Sequence, residues 1–165
     1  MAQIQVNPWS FNSSDQATSV AIASIVNNGA SALVTTSGAH GYTLYQNISL
    51  QAPAVAGYAN GYKVLSIPST TTFNVALEPW QILLANAGAG GNSLSVAYAM
   101  KVRIEQILWN NPTAATALLI TDTNGFIVWN PESVTGGTLT YGKIFWVDGI
   151  VLNTIGSGTV QMTIN

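Results

Sequence analysis

Leu94-Ser95-Val96-Ala97-Tyr98-Ala99-Met100-Lys101-Val102-Arg103-Ile104-Glu105 alternates large apolar residues with small or charged ones. Leu94, Val96, Tyr98, Met100, Val102 and Ile104 share one parity, with Gln106 next in phase. Lys101, Arg103 and Glu105 fall on the other. A period of two marks a strand with one face on a core and one in water. The run extends to Trp109, long enough to require a bend.

The same grammar holds on both sides of it. Downstream, Ala117–Asp122 and Phe126–Trp129 flank Asp122-Thr123-Asn124-Gly125, which predicts a hairpin. Gly142–Val147, Ile150–Ile155 and Thr159–Ile164 read as strands, with Asp148-Gly149 and Gly156-Ser157-Gly158 as their turns. Upstream, Thr18–Val26 stops at Asn27-Asn28-Gly29 and Ala32–Thr36 resumes, a hairpin pattern. Asp15–Val26 also fits a short helix capped by Ser13 or Ser14. Gln46–Gln51, Tyr62–Ile67 and Thr71–Leu77 read as a meander. Asn60-Gly61 and Pro68-Ser69-Thr70 serve as its turns, and Glu78-Pro79-Trp80 ends it. Gln81–Ala87 fits one helical turn or a loop. The expected fold is all-β, an antiparallel sandwich, jelly roll or small barrel. Three parts are expected: an extended arm over 1–17, a β module over 18–86 and a sandwich part over 93–165. Ala87-Gly88-Ala89-Gly90-Gly91-Asn92 is the candidate linker between the last two, which could still form one compact unit.

Composition narrows function by subtraction. Only 6% of the 165 residues are charged, against about a quarter in ordinary soluble domains. With one His and no Cys, the chain has no thiolate nucleophile, disulfide framework or Cys-ligated zinc. A formal net charge of −2 supplies no electrostatic footprint for nucleic acid. No run reaches the roughly 18 apolar residues of a spanning helix. MAQIQVNPWSF lacks the basic region and apolar core of a signal peptide. Six scattered acids offer little to a glycosidase-type carboxylate pair. The expectation is a protein without catalytic residues, metal or cofactor, whose surface is largely covered by other protein.

Two ordered sets of motifs carry a resemblance. The first runs Val34-Thr35-Thr36-Ser37-Gly38-Ala39-His40-Gly41-Tyr42, Asn47-Ile48-Ser49-Leu50, Gly57-Tyr58-Ala59-Asn60-Gly61-Tyr62-Lys63-Val64 and Thr71-Thr72-Phe73-Asn74-Val75. It resembles a small β module of tailed-bacteriophage virion proteins, with the pattern His-Gly, Asn-Gly-aromatic, Thr-Phe. That module is similar in scaffold to a β-barrel insert of ubiquitin-activating enzymes, and the resemblance implies a small barrel module in the N-terminal half of an antiparallel sandwich or jelly-roll-like fold. The second set spans Ile104–Asn165, with Ile-x-x-Ile-x-Trp-x-x-Pro-Thr, Ile120-Thr121-Asp122-Thr123-Asn124-Gly125, Asp148-Gly149-Ile150-Val151-Leu152 and Ser157-Gly158-Thr159-Val160. It looks like the terminal segment of small phage head or tail proteins. Together they cover about two thirds of the chain, and they imply a non-enzymatic, multi-copy virion component.

Individual residues read accordingly. His40 has no nearby Asp or Glu to orient it as a base, and metal sites need several ligands. His40-Gly41 therefore reads as a structural corner. Asp122-x-Asn124-Gly125 opens like a calcium loop, but Ile127 and Ser133 stand where Gly and Glu are required. Asn124 and Gly125 are read as a turn, as are Asn60 and Gly61. Gly88–Gly91 lacks the Lys-Ser/Thr of a phosphate loop. The glycosylation patterns at Asn12 and Asn47 carry little weight without a secretion signal. Trp109, Trp129 and Trp146 are expected as core or cross-strand anchors. Pro8, Trp9, Phe11 and Trp80 sit in irregular segments. They fit two readings equally, plugging into a partner or stapling the chain's own ends.

The leading expectation is a capsid cement or decoration protein on the virion surface, made in the host cytoplasm. It would bridge major capsid protein subunits as a homo-oligomer, a trimer by lattice symmetry, and contact neither nucleic acid nor membrane. Met1–Phe11 is a candidate arm for strand addition. A tail, collar or baseplate component is the second reading. A glycan-binding fibre or receptor-recognition module is the third, though no polar partners beside the tryptophans support it.

Overall fold

The computed structural model describes residues 8–110, 112–113, 117–131 and 137–165. It is all-β, with thirteen strands among these residues: β1 Trp9–Phe11, β2 Ser19–Asn27, β3 Ser31–Thr36, β4 Asn47–Gln51, β5 Asn60–Ser69, β6 Thr72–Ala76, β7 Asn92–Ser95, β8 Tyr98–Asn110, β9 Leu118–Thr121, β10 Ile127–Trp129, β11 Thr138–Tyr141, β12 Phe145–Ile155 and β13 Thr159–Ile164. Strands β2–β7 form a closed barrel in the order β2-β3-β6-β5-β4-β7. The others form an open sheet, β1-β13-β8-β12-β9-β10, with β11 also on β8. The N-terminal run is therefore strand, not helix. The β-branched Val20, Ile22, Ile25 and Val26 favour extended backbone.

In the barrel, every second residue points inward. Ala32 and Val34, Ile48 and Leu50, Tyr62 and Val64, and Phe73 and Val75 make one buried core with Ile22, Ile25 and Tyr58. β2 turns the corner between two neighbours. Ser19–Ala21 pair with β7, Ile22–Asn27 pair with β3, and the register slips at Ala23. That extra residue shifts the inward parity from Ile22 to Ile25. The hairpin at Asn27-Asn28-Gly29 forms as expected, with Gly29 at φ 83° and its N–H donating to Asn27 Oδ1.

Two expectations fail here for one reason. Asn60-Gly61 is not a turn but the start of β5, paired with Leu50 and Ser49. The glycine-rich 88–92 segment is not a linker. Ile22 N–H bonds Gly91 O, Gly90 N–H bonds Ile22 O, and Asn92 already belongs to β7. The barrel thus extends to Ser95, past the expected start of the second part at 93. In both places glycine answers close approach. A Cβ on Gly61 would stand 2.9 Å from Thr123 Cβ, and one on Gly91 2.2 Å from Gln51 O.

The open sheet rolls around a second core of Val102, Ile104, Ile107, Trp109, Leu118, Ile120, Leu152, Val160 and Met162. Alternation on β8 does not run through. Ile104 faces Ile164, but Gln106 faces Thr163, so two steps on β8 answer one on β13. The bulge at Glu105 passes the buried parity to Ile107 and Trp109, and Gln106 stays half-buried. Asp148-Gly149 does not end a strand either. β12 runs through it, pairing first with β8 and then with β9. Gly149 takes φ 81°, and a Cβ there would meet Thr123 Cγ2 at 2.6 Å. Trp109 and Trp129 are buried as expected, whereas Trp146, opposite Arg103, is exposed.

Barrel and sheet meet along a seam. Leu94, outward on β7, joins Ala17 and Val151 in a small apolar contact. Ser49 Oγ donates to Thr123 O at 2.5 Å. Beside it a three-member ring closes. Gln51 Nε2 donates to Thr121 Oγ1 (2.8 Å), Thr121 Oγ1 to Asn153 Oδ1 (2.8 Å), and Asn153 Nδ2 to Gln51 Oε1 (3.0 Å). Asn153 is the extra residue of a bulge on β12, which re-aims its side chain.

Candidate interaction surface

The described surface offers few charges. Its two ion pairs are Lys101–Asp148 at 3.8 Å, which is exposed and contributes little, and the half-buried Arg103–Glu105 at 4.0 Å. Among the described residues, no three His, Cys, Asp or Glu side chains gather.

His40 is buried in the barrel. Its Nδ1 accepts the Tyr42 N–H at 2.9 Å, and Nε2 faces Ser69 O at 3.2 Å. That pairing places the proton on Nε2. The ring stacks on Tyr42 and meets Phe73 edge-on, and Gly41 reverses the chain at φ 66°. Burial pushes the Tyr42 phenol up to about 12, against a smaller opposing effect of its bond to Ser93. Burial likewise pushes Tyr62 up to about 12, the Gln81 bond opposing. Asp122 Oδ1 accepts the N–H groups of Asn124 and Phe126, both at 2.9 Å, with Gly125 at φ 88°, the expected turn.

Apolar exposure is the feature that remains. Thirteen large apolar residues stand exposed among those described, and eight belong to the barrel half. The densest group is on the loop between β6 and β7, where Trp80 is 59%, Ile82 44% and Leu83 91% exposed. The loop is held from beneath. Gln81 is fully buried, its Nε2 donating to Gly57 O (2.8 Å) and Tyr62 Oη (2.7 Å) and its Oε1 accepting the Glu78 N–H (3.0 Å). Asn27 Nδ2 donates to the carbonyls of Gln81 and Leu84, both at 3.0 Å. Leu84 packs on the barrel core, and the Ala87–Ile25 bridge closes the loop. Trp80, Ile82 and Leu83 therefore project from an anchored base. Pre-ordered apolar anchors of this kind lose little entropy when a partner covers them.

The other predicted contact residues divide. Trp9 and Phe11 are half-buried in β1, paired with Met162 and Val160 of β13. Trp9 lies 4.7 Å from Tyr98 and 6.3 Å from Phe11 between ring centroids. They staple the chain's own sheet. Pro8 is exposed just before them. Residues 9–17 are thus integrated, with a 3-10 turn at Ser13–Asp15 and Ala17 buried, and not an extended arm. The first seven positions of the expected arm lie outside the described residues. Sequence reading found Trp80 but missed Gln81 and Leu83. The only signal for either was their position after Glu78-Pro79 in a loop. No family model, curated protein or solved structure matches this chain.

Proposed function

We propose that this chain is a non-enzymatic structural protein of a tailed-bacteriophage particle, acting as a capsid cement or decoration protein that bridges major capsid subunits. The observation that carries the proposal is the anchored apolar projection of Trp80, Ile82 and Leu83 on a surface nearly free of charge. The segment resembling the phage β module supplies β3–β6 of the closed barrel that bears this projection. Docking several such projections from one oligomer onto a repeating lattice multiplies modest contacts into firm attachment. A trimer matches the local three-fold positions of an icosahedral shell.

Co-sedimentation with purified particles of the phage encoding the sequence tests this. Wild-type protein is expected to pellet with capsids, and the Trp80→Ser, Leu83→Ser double variant to bind at least about tenfold more weakly. Both side chains are exposed, so the variant keeps its fold, as circular dichroism would verify. Equal binding by the variant, or gold labelling confined to tails, overturns the capsid reading. The tail result would install the tail-component reading in its place.

A further inference from the structure

A cleft of about 300 Å³ opens at the barrel–sheet seam, lined by Asn47, Asn60, Tyr62, Lys63, Ala99 and Thr123 among others. Asn47 and Lys63 are directly opposed on β4 and β5, so their side chains stand together on the outward face. No Asp or Glu lines the space. Lys63 is the only cation before residue 101, and neither ion pair of the described residues uses it. Asn60, opposite Leu50, shares the inward parity of Tyr62, and its Oδ1 accepts the Gly61 N–H at 2.7 Å. Thr123 Oγ1 is already bonded to Asp148 O. The outward face of the cleft therefore presents one ammonium and one carboxamide, those of Lys63 and Asn47, with no carboxylate beside them.

We infer that this cleft receives an acidic side chain of a partner polypeptide, with Lys63 as the counter-charge and Asn47 Nδ2 as a hydrogen-bond donor. Charge complementarity selects a carboxylate. A sugar acid fits less well, because Tyr62 is the cleft's one aromatic and is buried, its hydroxyl donating to Tyr58 O and accepting from Gln81. No ring face lies open for a pyranose. A backbone edge with no paired strand among the described residues lies alongside. Ala99 belongs to the half of β8 that has β12 on one side and, among the described residues, no strand on the other. This inference rests on the docking reading above and names a second, polar contact for it.

Titration of the full chain followed by amide NMR tests it without any particle. The N-acetyl amide of glutamate should give saturable shifts at the Asn47 side-chain amide and the Gly61 N–H. The glutamine counterpart, and Lys63→Gln protein with the glutamate probe, should each bind about tenfold more weakly. Lys63 is exposed, so an unchanged thermal midpoint is expected for the variant. Absence of saturation, an equal response to the glutamine compound, or equal or tighter binding of glucuronate overturns the inference. A failed titration leaves the docking reading to the Trp80 and Leu83 experiment, so the two failures are distinguishable.

Discussion

The barrel and the open sheet bury apolar faces of similar kind and leave opposite surfaces behind. Residues 19–95 contain two charged side chains, Lys63 and Glu78, whereas residues 98–165 contain seven. The barrel has no strand edge, because closure pairs every stave. The sheet ends in the short strands β1 and β10, and both described ion pairs lie on it. Edges invite unwanted pairing and charges discourage it. A closed barrel needs no such protection, so its loops can carry exposed Trp80 and Leu83. The comparison teaches that closure frees the barrel to carry a clustered apolar loop, whereas the sheet scatters its exposed apolar residues, Ile127 on edge strand β10 among them.

The largest effect tests whether the two halves stand or fall together. Phe73→Ala in the barrel and Trp109→Ala in the sheet each empty a fully buried site and should cost about 3–5 kcal/mol. Calorimetry should show one transition in each case, lowered as a whole by the coupling through Gln51, Thr121 and Asn153. Two separated transitions would break that coupling. Next comes the segment that closes the barrel. Gly91→Ala forces a Cβ into the Gln51 and Ala52 carbonyls at φ 71° and should cost roughly 2–4 kcal/mol by urea denaturation. Gly88→Ala, with open space and no positive φ, should be neutral or slightly stabilising. Equal costs at the two glycines would restore the linker reading.

A third experiment separates the halves by pH. Tyr42 and Tyr62 both titrate inside the barrel, with native pKa values near 12 against an ordinary 10. The native state holds these protons more tightly than the unfolded chain. Their stabilising effect is complete below pH 10 and is lost as pH rises from 10 to 12. The loss should be on the order of 2 kcal/mol per tyrosine, seen as a falling denaturant midpoint. Tyr42→Phe should flatten that fall while giving up the Ser93 bond at neutral pH. An unchanged slope in the variant would remove Tyr42 from the account. The smallest effect belongs to the sheet surface. Lys101→Ala breaks an exposed pair and should shift stability by less than about 1 kcal/mol.

The sequence showed its strands through alternation and its hairpins through Asx-Gly chemistry, because both are local. The Asn27–Gly29 hairpin, the Asp122 turn and the His40 corner were all legible for that reason. What was hidden depends on the third dimension. The bulge at Glu105 falls where two polar residues, Glu105 and Gln106, stand side by side before Ile107, a break in the alternation that a phase carried on to Gln106 passes over. Gly61, Gly91 and Gly149 read as turn or linker residues because glycine serves flexibility and close approach with the same letter. At the candidate surface, Trp80 was visible as an aromatic in a loop. The exposure of Leu83 follows from Gln81 turning inward, which only the positions of Tyr62 and Gly57 determine. The inward turn of Trp9 likewise depends on β13, some 150 residues away in sequence.

β7 closes the barrel by bridging β2 and β4, and it is the last of the six staves to be synthesised. A nascent chain emerging from the ribosome therefore exposes two bare edges until Asn92–Ser95 has cleared the exit tunnel. A chain ending between Ala76 and Asn92 would carry five staves and two unpaired edges, and such a fragment is expected to aggregate rather than close.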